Sequence, residues 1–401
     1  MAKLQTTLAG LNLPHPIMPG AGPNVADGTL LQAAAAGGAG ALVTHTVSAL
    51  PAPELTPYRE IRGGMLNNQL WSAHPVERWV ARDYGEARAA ADAAGIPLII
   101  SLGYTPAEIA TVAPLVAPFA DALELSLHYA RAGGGLMADP VTAAYQAIHQ
   151  PSDALVAQPE LLVATVQAAK ATTGLPVFVK LPPLGSEIVA VARACEAAGA
   201  DAIVAVNALG PCLALDLEHQ TPLLGGDGYG WLSGPALKPL ALRCIFDLAR
   251  ALTIPVIGVG GVSRPEDAVE LLMAGASAVQ VCTAALQRGP TIYGTLATGL
   301  DAWLDSHSYT DVAEIVGLGI RRWRSLVAHT TSLPVLYDEA ACVGCKLCER
   351  SCHYDAITMV GKVAALETER CFGCGLCATR CPTDALLMPQ MTAAGPVDPR
   401  G

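Results

Sequence analysis

From Leu8 to about residue 330 the chain alternates short apolar runs with longer stretches rich in Ala, Leu and Glu. Short apolar runs bounded by turn residues read as buried strands, and strands separated by helix-length connections read as parallel βαβ units. Eight candidate strands follow, at 16–22, 41–46, 97–104, 122–128, 177–183, 202–207, 255–261 and 278–284. Helix-like stretches such as 186–198 and 265–274 lie between most of them. Eight βα units in alternation predict an α/β fold, a (β/α)8 TIM barrel whose working end is formed by the C-terminal ends of its strands. A doubly wound open sheet is the runner-up, but it rarely needs eight strands in strict alternation.

Composition adds limits. Hydrophobic residues make up 52% and charged residues 15% of 401, which fits a large core. The net charge of −11 argues against a nucleic-acid backbone as partner. It is compatible with plain solubility or with docking to a basic redox partner. The start, Met1-Ala2-Lys3-Leu4, does not resemble a signal peptide, and no long apolar run is free of turn residues. The expected location is therefore the cytoplasm, without membrane association, where clustered cysteines bind metal more often than they form disulfides.

Cysteine spacing is the sharpest signal. Cys342-x2-Cys345-x2-Cys348-x3-Cys352 is followed by Cys371-x2-Cys374-x2-Cys377-x3-Cys381-Pro382. Two such runs form the bacterial two-cluster ferredoxin pattern, in which the fourth cysteine of each run serves the other cluster. Three thiolates on one tight loop can wrap one face of an iron–sulfur cube, and the fourth must arrive from elsewhere. One [4Fe–4S] cluster is expected on Cys342, Cys345, Cys348 and Cys381, and the other on Cys371, Cys374, Cys377 and Cys352. Zinc would call for paired C-x2-C knuckles instead. The first run ends in His353 where the second has Pro382, which leaves the ligands intact. The expected domains are a barrel over 1–330 and a small two-cluster, ferredoxin-like domain over 331–401.

At the end of candidate strand seven, Gly258-Val259-Gly260-Gly261 precedes Cys282-Thr283 after strand eight. In these barrels the loops after strands seven and eight hold phosphate through backbone N–H groups, and glycine keeps side chains out of the way. A dinucleotide unit would also need an acidic ribose-binding residue further on, so NAD(P)H is not expected to bind this chain.

The stretch 255–284 and the segment Leu232-Ser233-Gly234-Pro235 resemble the phosphate region of the dihydroorotate dehydrogenase family. A barrel joined to a two-cluster tail resembles the flavin subunit of the dihydropyrimidine dehydrogenases of that family. The resemblance implies an FMN oxidoreductase acting on CH–CH groups. Ala21 and Gly22 would lie against the flavin ring, Thr46 would hydrogen-bond it, and Lys180 would sit beside its N1/C2 carbonyl edge. Gly234, Gly260, Gly261, Cys282 and Thr283 would hold the ribityl phosphate, and Asn67 and Asn207 would meet substrate or flavin. The plainer readings are a turn for Asn67, a cap or turn for Asn207 and a surface position for Lys180. A lysine between Val179 and Leu181 on a buried strand nevertheless needs a partner.

Three positions depart from the family pattern. His45 replaces a lysine after strand two, Ser126 replaces an asparagine in strand four, and His128-Tyr129-Ala130-Arg131 stands where a proton-donating cysteine belongs. Cys195 is the first cysteine in the chain. His128, Tyr129 and His45 are the acids available at the strand ends, with His45 as a substrate binder and Cys212 a distant further candidate. The segment 130–159 is expected to include an active-site lid.

Electrons would enter through the clusters from a ferredoxin or a separate FAD/NAD(P)H subunit, pass to FMN, and reduce an activated C=C bond in a conjugated carbonyl or cyclic amide. The alternatives are dihydropyrimidine or dihydroorotate chemistry with a substituted acid, or a non-catalytic electron-transfer subunit. The resemblance also implies a homodimer.

Overall fold

The computed structural model describes residues 2–53, 57–127, 159–224, 228–323, 333–392 and 395–397. The chain divides into two compact units, 1–323 and 324–401.

The first unit is built on eight parallel strands: β1 (Ile17–Pro19), β2 (Leu42–Val43), β3 (Leu98–Leu102), β4 (Ala122–Ser126), β5 (Val177–Leu181), β6 (Ala202–Ala205), β7 (Val256–Val259) and β8 (Ala276–Val281). Their order around the sheet is β1-β8-β7-β6-β5-β4-β3-β2. At the β1–β2 seam Gly40 N donates to Ile17 O at 2.7 Å, so the barrel is nearly closed. Each strand lies within or overlaps its expected run. The exception in detail is the end of β8, where Thr283 and Ala284 already belong to the helix Thr283–Arg288.

Side-chain alternation along these strands sorts two cores. Leu123, Leu125, Val177, Val179 and Leu181 face outward into the layer shared with the helices. Val43, Ile99, Ala122, Phe178, Val204, Ile257 and Ala278 face inward and fill the barrel. The hairpin Thr6–Leu8 and Leu11–Leu13 adds Leu8 and Leu13 to that inner cluster and stoppers the N-terminal end. The same parity carried two residues further along β4, β5 and β8 points Glu124, Lys180 and Gln280 inward, and one more step along β4 does the same for Ser126. The lumen is therefore apolar below and polar at its C-terminal end.

The helices start where local chemistry says they should. Thr105 Oγ1 accepts from Glu108 N at 3.2 Å and Glu108 Oε2 accepts from Thr105 N at 3.0 Å, a reciprocal cap on Pro106–Val116. Asp27 caps Gly28–Ala36 in the simpler way.

One feature was not foreseen from the sequence. An antiparallel sheet in the order Leu209–Cys212, Gly230–Ser233, Gly64–Asn67, Tyr58–Ile61 is drawn from the connections after β2 and β6. Its strands are short and interrupted by Gly and Pro, so their alternation is too brief to stand out in the sequence.

In the second unit Leu336–Tyr337 pairs with Leu386–Leu387, and Ile357–Val360 pairs with Val363–Leu366. A short helix follows each cysteine triplet, Leu347–Ser351 and Leu376–Thr379. Val335, Ala356, Ile357, Ala364 and Leu386 pack with Cys348, Cys371 and Cys377 into a core of their own. The expected positions His128 and Tyr129, and nearly all of the expected lid at 130–159, lie outside the described residues.

Candidate active site and cysteine cavities

The C-terminal ends of the barrel strands open into one cleft. It is lined by Ala21 and Gly22 after β1, His45 and Thr46 after β2, Ser126 from β4, and Lys180 from β5. Asn207 follows β6, Gly260 and Gly261 follow β7, and Cys282 and Thr283 follow β8. The antiparallel sheet brings Asn67 and Trp231, with Gly234 just beyond it. Every described residue named from the sequence for substrate or flavin thus reaches a single cavity, whereas Cys212 is not part of its lining. Sequence reasoning missed Tyr58, Gln69, Tyr104 and Gln280, which also line it.

Polar groups in the cleft are tightly tied. Lys180 Nζ donates to Gln280 Oε1 at 3.0 Å and to Glu124 Oε1 at 3.4 Å. Thr46 Oγ1 lies 2.9 Å from Ser101 Oγ. Asn67 Oδ1 accepts from Gln69 N at 3.0 Å, while its Nδ2 donates to Trp231 O at 3.4 Å. Asn207 Oδ1 accepts from Ala208 N at 2.9 Å. Both asparagines therefore shape their turns as well as facing the cleft.

His45 differs from expectation. An ordinary imidazole titrates near neutrality and can serve as an acid there, but burial pushes His45 down to about 4, against a hydrogen bond to Leu70 that works the other way. At neutral pH it is an uncharged imidazole, with Nε2 3.3 Å from Gln69 Nε2.

At the other end of the cleft Gly260 has φ 131° and Gly261 φ 79°. A Cβ on Gly260 would come within 2.8 Å of Ala241 Cβ, and one on Gly261 within 2.6 Å of Lys238 Cβ. Glycine was expected here to clear the phosphate. The structure adds a second reason: left-handed backbone and close approach of the helix Lys238–Ala251. Thr283 Oγ1 donates to Ser233 Oγ at 2.9 Å beside Gly234. Glycine backbone and hydroxyls at one end, with an ion-paired lysine and amides at the other, form a donor set that fits a phosphate-bearing, carbonyl-rich ring such as FMN.

The cysteines of the second unit line two separate cavities. Cys342, Cys345, Cys348 and Cys381 line one, and Cys352, Cys371, Cys374 and Cys377 line the other. Among the described residues no three His, Cys, Asp or Glu side chains converge as a single metal ion would require. Four thiols around a void suit a polynuclear cluster instead, since the inorganic core holds its ligands apart. Backbone N–H groups are already aimed at sulfur: Ala356 N donates to Cys352 Sγ at 3.3 Å. The N–H of Ala364 and then that of Gly344 hold the Cys342 thiol below its usual range. The Tyr337 hydroxyl, buried beside the same cavity, also hydrogen-bonds Cys342 and helps to hold its thiol down. This donor set fits iron–sulfur binding.

Fold and site together define a class, a flavin barrel carrying an iron–sulfur unit. Comparison with known proteins makes it specific. The dihydroorotate dehydrogenase family profile matches residues 3–304, and a 4Fe-4S dicluster domain profile matches 336–388. The catalytic subunit of dihydroorotate dehydrogenase B (NAD(+)) from Methanothermobacter thermautotrophicus is 35% identical over 321 residues, 79% of this chain and 98% of its own. The corresponding subunit from Methanosarcina mazei is 38% identical over 322 residues, 79% of this chain and 95% of its own. The corresponding Pyrococcus abyssi protein is 34% identical over 326 residues, 79% of this chain and 99% of its own.

This chain belongs to the dihydroorotate dehydrogenase family. It is an FMN-dependent oxidoreductase acting on CH–CH groups and carries a 4Fe-4S domain near its C-terminal end. Among the described residues no helix is long and apolar enough to cross a membrane.

Proposed function

We infer that this protein passes electrons between two [4Fe–4S] clusters and FMN, and reduces, or in the reverse direction forms, an activated C=C bond in a conjugated carbonyl or cyclic amide. The observation that carries this reading is the convergence on one cleft of Lys180, Asn67, Asn207 and His45 with the phosphate-end residues Gly260, Gly261 and Thr283. Bound there, FMN supplies hydride transfer and the clusters supply single electrons. The chain's own residues do the rest. Lys180 offers positive charge at the floor of the cleft. Asn67, Asn207 and Gln69 present amides that suit substrate carbonyls and N–H groups, and Tyr104 and Trp231 supply flat apolar walls.

Reduction of a C=C bond also consumes a proton on the second carbon. His45 is poorly suited to give it, being neutral and bonded to Gln69. His128 and Tyr129, two and three residues beyond the cleft-lining Ser126, are the assigned donors.

Relatives named dihydroorotate dehydrogenase, at 35% and 38% identity, support a second reading, dihydroorotate or dihydropyrimidine chemistry with a substituted acid. Those relatives are named catalytic subunits. An electron-donating partner, a ferredoxin or an FAD/NAD(P)H subunit, and a homodimeric state belong to the same proposal. The arrangement of domains, a barrel to about residue 330 followed by the cluster domain, does too.

The test is anaerobic. The purified holoprotein is reduced with dithionite, and flavin reoxidation is followed with orotate, uracil, thymine, cyclic enones and enoyl thioesters. Rapid reoxidation by an enone or an enoyl thioester supports the first reading, and by orotate, uracil or thymine alone the second. Failure with every compound, in protein fully loaded with FMN and iron, overturns both.

A further inference from the structure

Beneath the cleft, three side chains from three strands close a ring across the barrel lumen. Lys180 Nζ donates to Glu124 Oε1 at 3.4 Å and to Gln280 Oε1 at 3.0 Å, and Gln280 Nε2 donates to Glu124 Oε2 at 2.5 Å. Glu124 is 0%, Gln280 1% and Lys180 4% exposed. Lys180 and Gln280 line the cleft, whereas Glu124 lies outside its lining. β4 and β5 are neighbours, but β8 lies across the barrel from them, so the ring ties opposite walls together.

The chemistry of each member leaves one arrangement. An ammonium has three donors and no acceptor, and a carboxylate only accepts. The Gln280 amide must therefore turn its oxygen to Lys180 and its nitrogen to Glu124, and it cannot flip without losing both bonds. Two lysine donors are spent on the ring. The third has no partner among the described residues, and it belongs to a side chain that lines the cleft. A lone buried ammonium would be costly, and the pair with Glu124 offsets that cost. The same pairing means that the cleft floor carries an ion pair with its positive end uppermost, not a whole unit of positive charge.

We propose that Glu124 and Gln280 are positioning residues that fix the third Lys180 donor toward the flavin ring and hold the FMN midpoint potential below the value an unpaired Lys180 would give. The proposal rests on the FMN reading above and extends it to two residues that the family comparison does not assign. Electrons added to the flavin place negative charge on its ring. A negative charge beneath Lys180 therefore opposes reduction, and its removal favours it.

The experiment measures the FMN midpoint potential at pH 8, by dye-equilibrated titration of the full-length holoprotein, in wild type, Glu124→Gln and Gln280→Glu. Glu124→Gln keeps shape but removes a negative charge and leaves one oxygen for two donors, so one of the two hydrogen bonds is lost, and its potential is expected to rise. Gln280→Glu sets a second carboxyl against Glu124, and two buried carboxyls this close share one proton, so the ring keeps its net charge and the potential is expected to stay near the wild-type value. Each tenfold change in relative affinity for reduced and oxidised flavin reads as a shift of about 30 mV for the two-electron couple. The expected order is Gln280→Glu close to wild type, with Glu124→Gln above both. A purely structural ring would instead weaken FMN retention in both variants, with potentials unmoved or moved the same way, and that result overturns the proposal. If Gln280→Glu does not fold, the sign of the Glu124→Gln shift decides, and if Glu124→Gln does not fold, Glu124→Met, which removes the same charge, takes its place. Wild-type protein that takes up no FMN overturns the FMN reading and this proposal together. Normal FMN loading without the ordered shifts overturns this proposal alone.

Discussion

His45 Nε2 lies 3.3 Å from Gln69 Nε2, an approach that makes the imidazole nitrogen the acceptor and the amide the donor. It requires a neutral ring, which agrees with a group that burial holds at about 4 against an ordinary 6.5. The folded state therefore binds fewer protons than the unfolded chain between those two values, and stability rises with pH across that window. Above pH 6.5 the site makes no difference. As pH falls the folded state loses ground, by about 3 kcal/mol in full once pH is below 4. Holoprotein unfolding midpoints measured from pH 7 to pH 4.5 should fall in wild type, and by clearly less in His45→Gln. Equal slopes in the two proteins would show that His45 is not the group responsible.

Gly261 allows a sharper test of the cleft's far end. With φ at 79° and the backbone N of Lys238 only 2.9 Å from where a Cβ would sit, Gly261→Ala meets both backbone strain and a collision with a helix end. A cost of about 1–3 kcal/mol is expected from the dihedral alone. Because the collision is with the helix and not the cleft, relief must come from a shift of Lys238–Ala251 or of the loop. FMN affinity should fall at least tenfold by fluorescence titration, together with a lower melting temperature. Lower stability with unchanged FMN affinity would show that this loop does not touch the phosphate.

Much of this was legible in the sequence, for identifiable reasons. β5 and β8 announce themselves because buried parallel strands are apolar nearly throughout. The cysteine runs are legible because cluster ligands have fixed spacing. Glu124 and Gln280 are not legible in this way although both stand in candidate strands, 122–128 and 278–284. Parity from Ala122 and Ala278 would have turned them inward, but nothing local shows that strands 156 positions apart face each other across a lumen. Tyr58, Gln69 and Trp231 were missed because they sit on or beside the short antiparallel sheet, whose strands carry no pattern long enough to read. The neutral state of His45 was illegible for a related reason, since burial is set by tertiary packing and not by its neighbours in sequence.

The partition of cysteines between cavities predicts the outcome of single ligand removals. Cys381 lies in one run but lines the cavity of Cys342, Cys345 and Cys348, and Cys352 lines that of Cys371, Cys374 and Cys377. Cys381→Ala and Cys352→Ala should each strip one cluster, leaving about half of the bound iron and sulfide. Low-temperature magnetic resonance of the reduced proteins should then show the interaction between two centres replaced by a single isolated centre, with a different spectrum in each variant. If each run instead served its own cluster, Cys381→Ala would spare the centre bound by Cys342, Cys345 and Cys348.

The proton donor can be separated from everything else in the site by the step at which it acts. Ser126 lines the cleft and Leu127 is the last described residue before His128 and Tyr129. A general acid is typically worth 10²–10⁴-fold, and removing it should slow the alkene-dependent step without disturbing cofactors. His128→Gln and Tyr129→Phe should therefore both retain full FMN and iron and be reduced by dithionite as wild type is. Whichever residue is the donor should then reoxidise with alkene about 10²-fold or more slowly, and that loss should not be recovered by raising alkene concentration. Loss in Tyr129→Phe alone would assign the proton to the phenol, and loss in His128→Gln alone would assign it to the imidazole. A smaller loss that disappears at saturating alkene would point to binding instead, because an interaction made equally in the ground and transition states changes KM and not the maximal rate. If both variants reoxidise at the wild-type rate, the proton comes from neither residue.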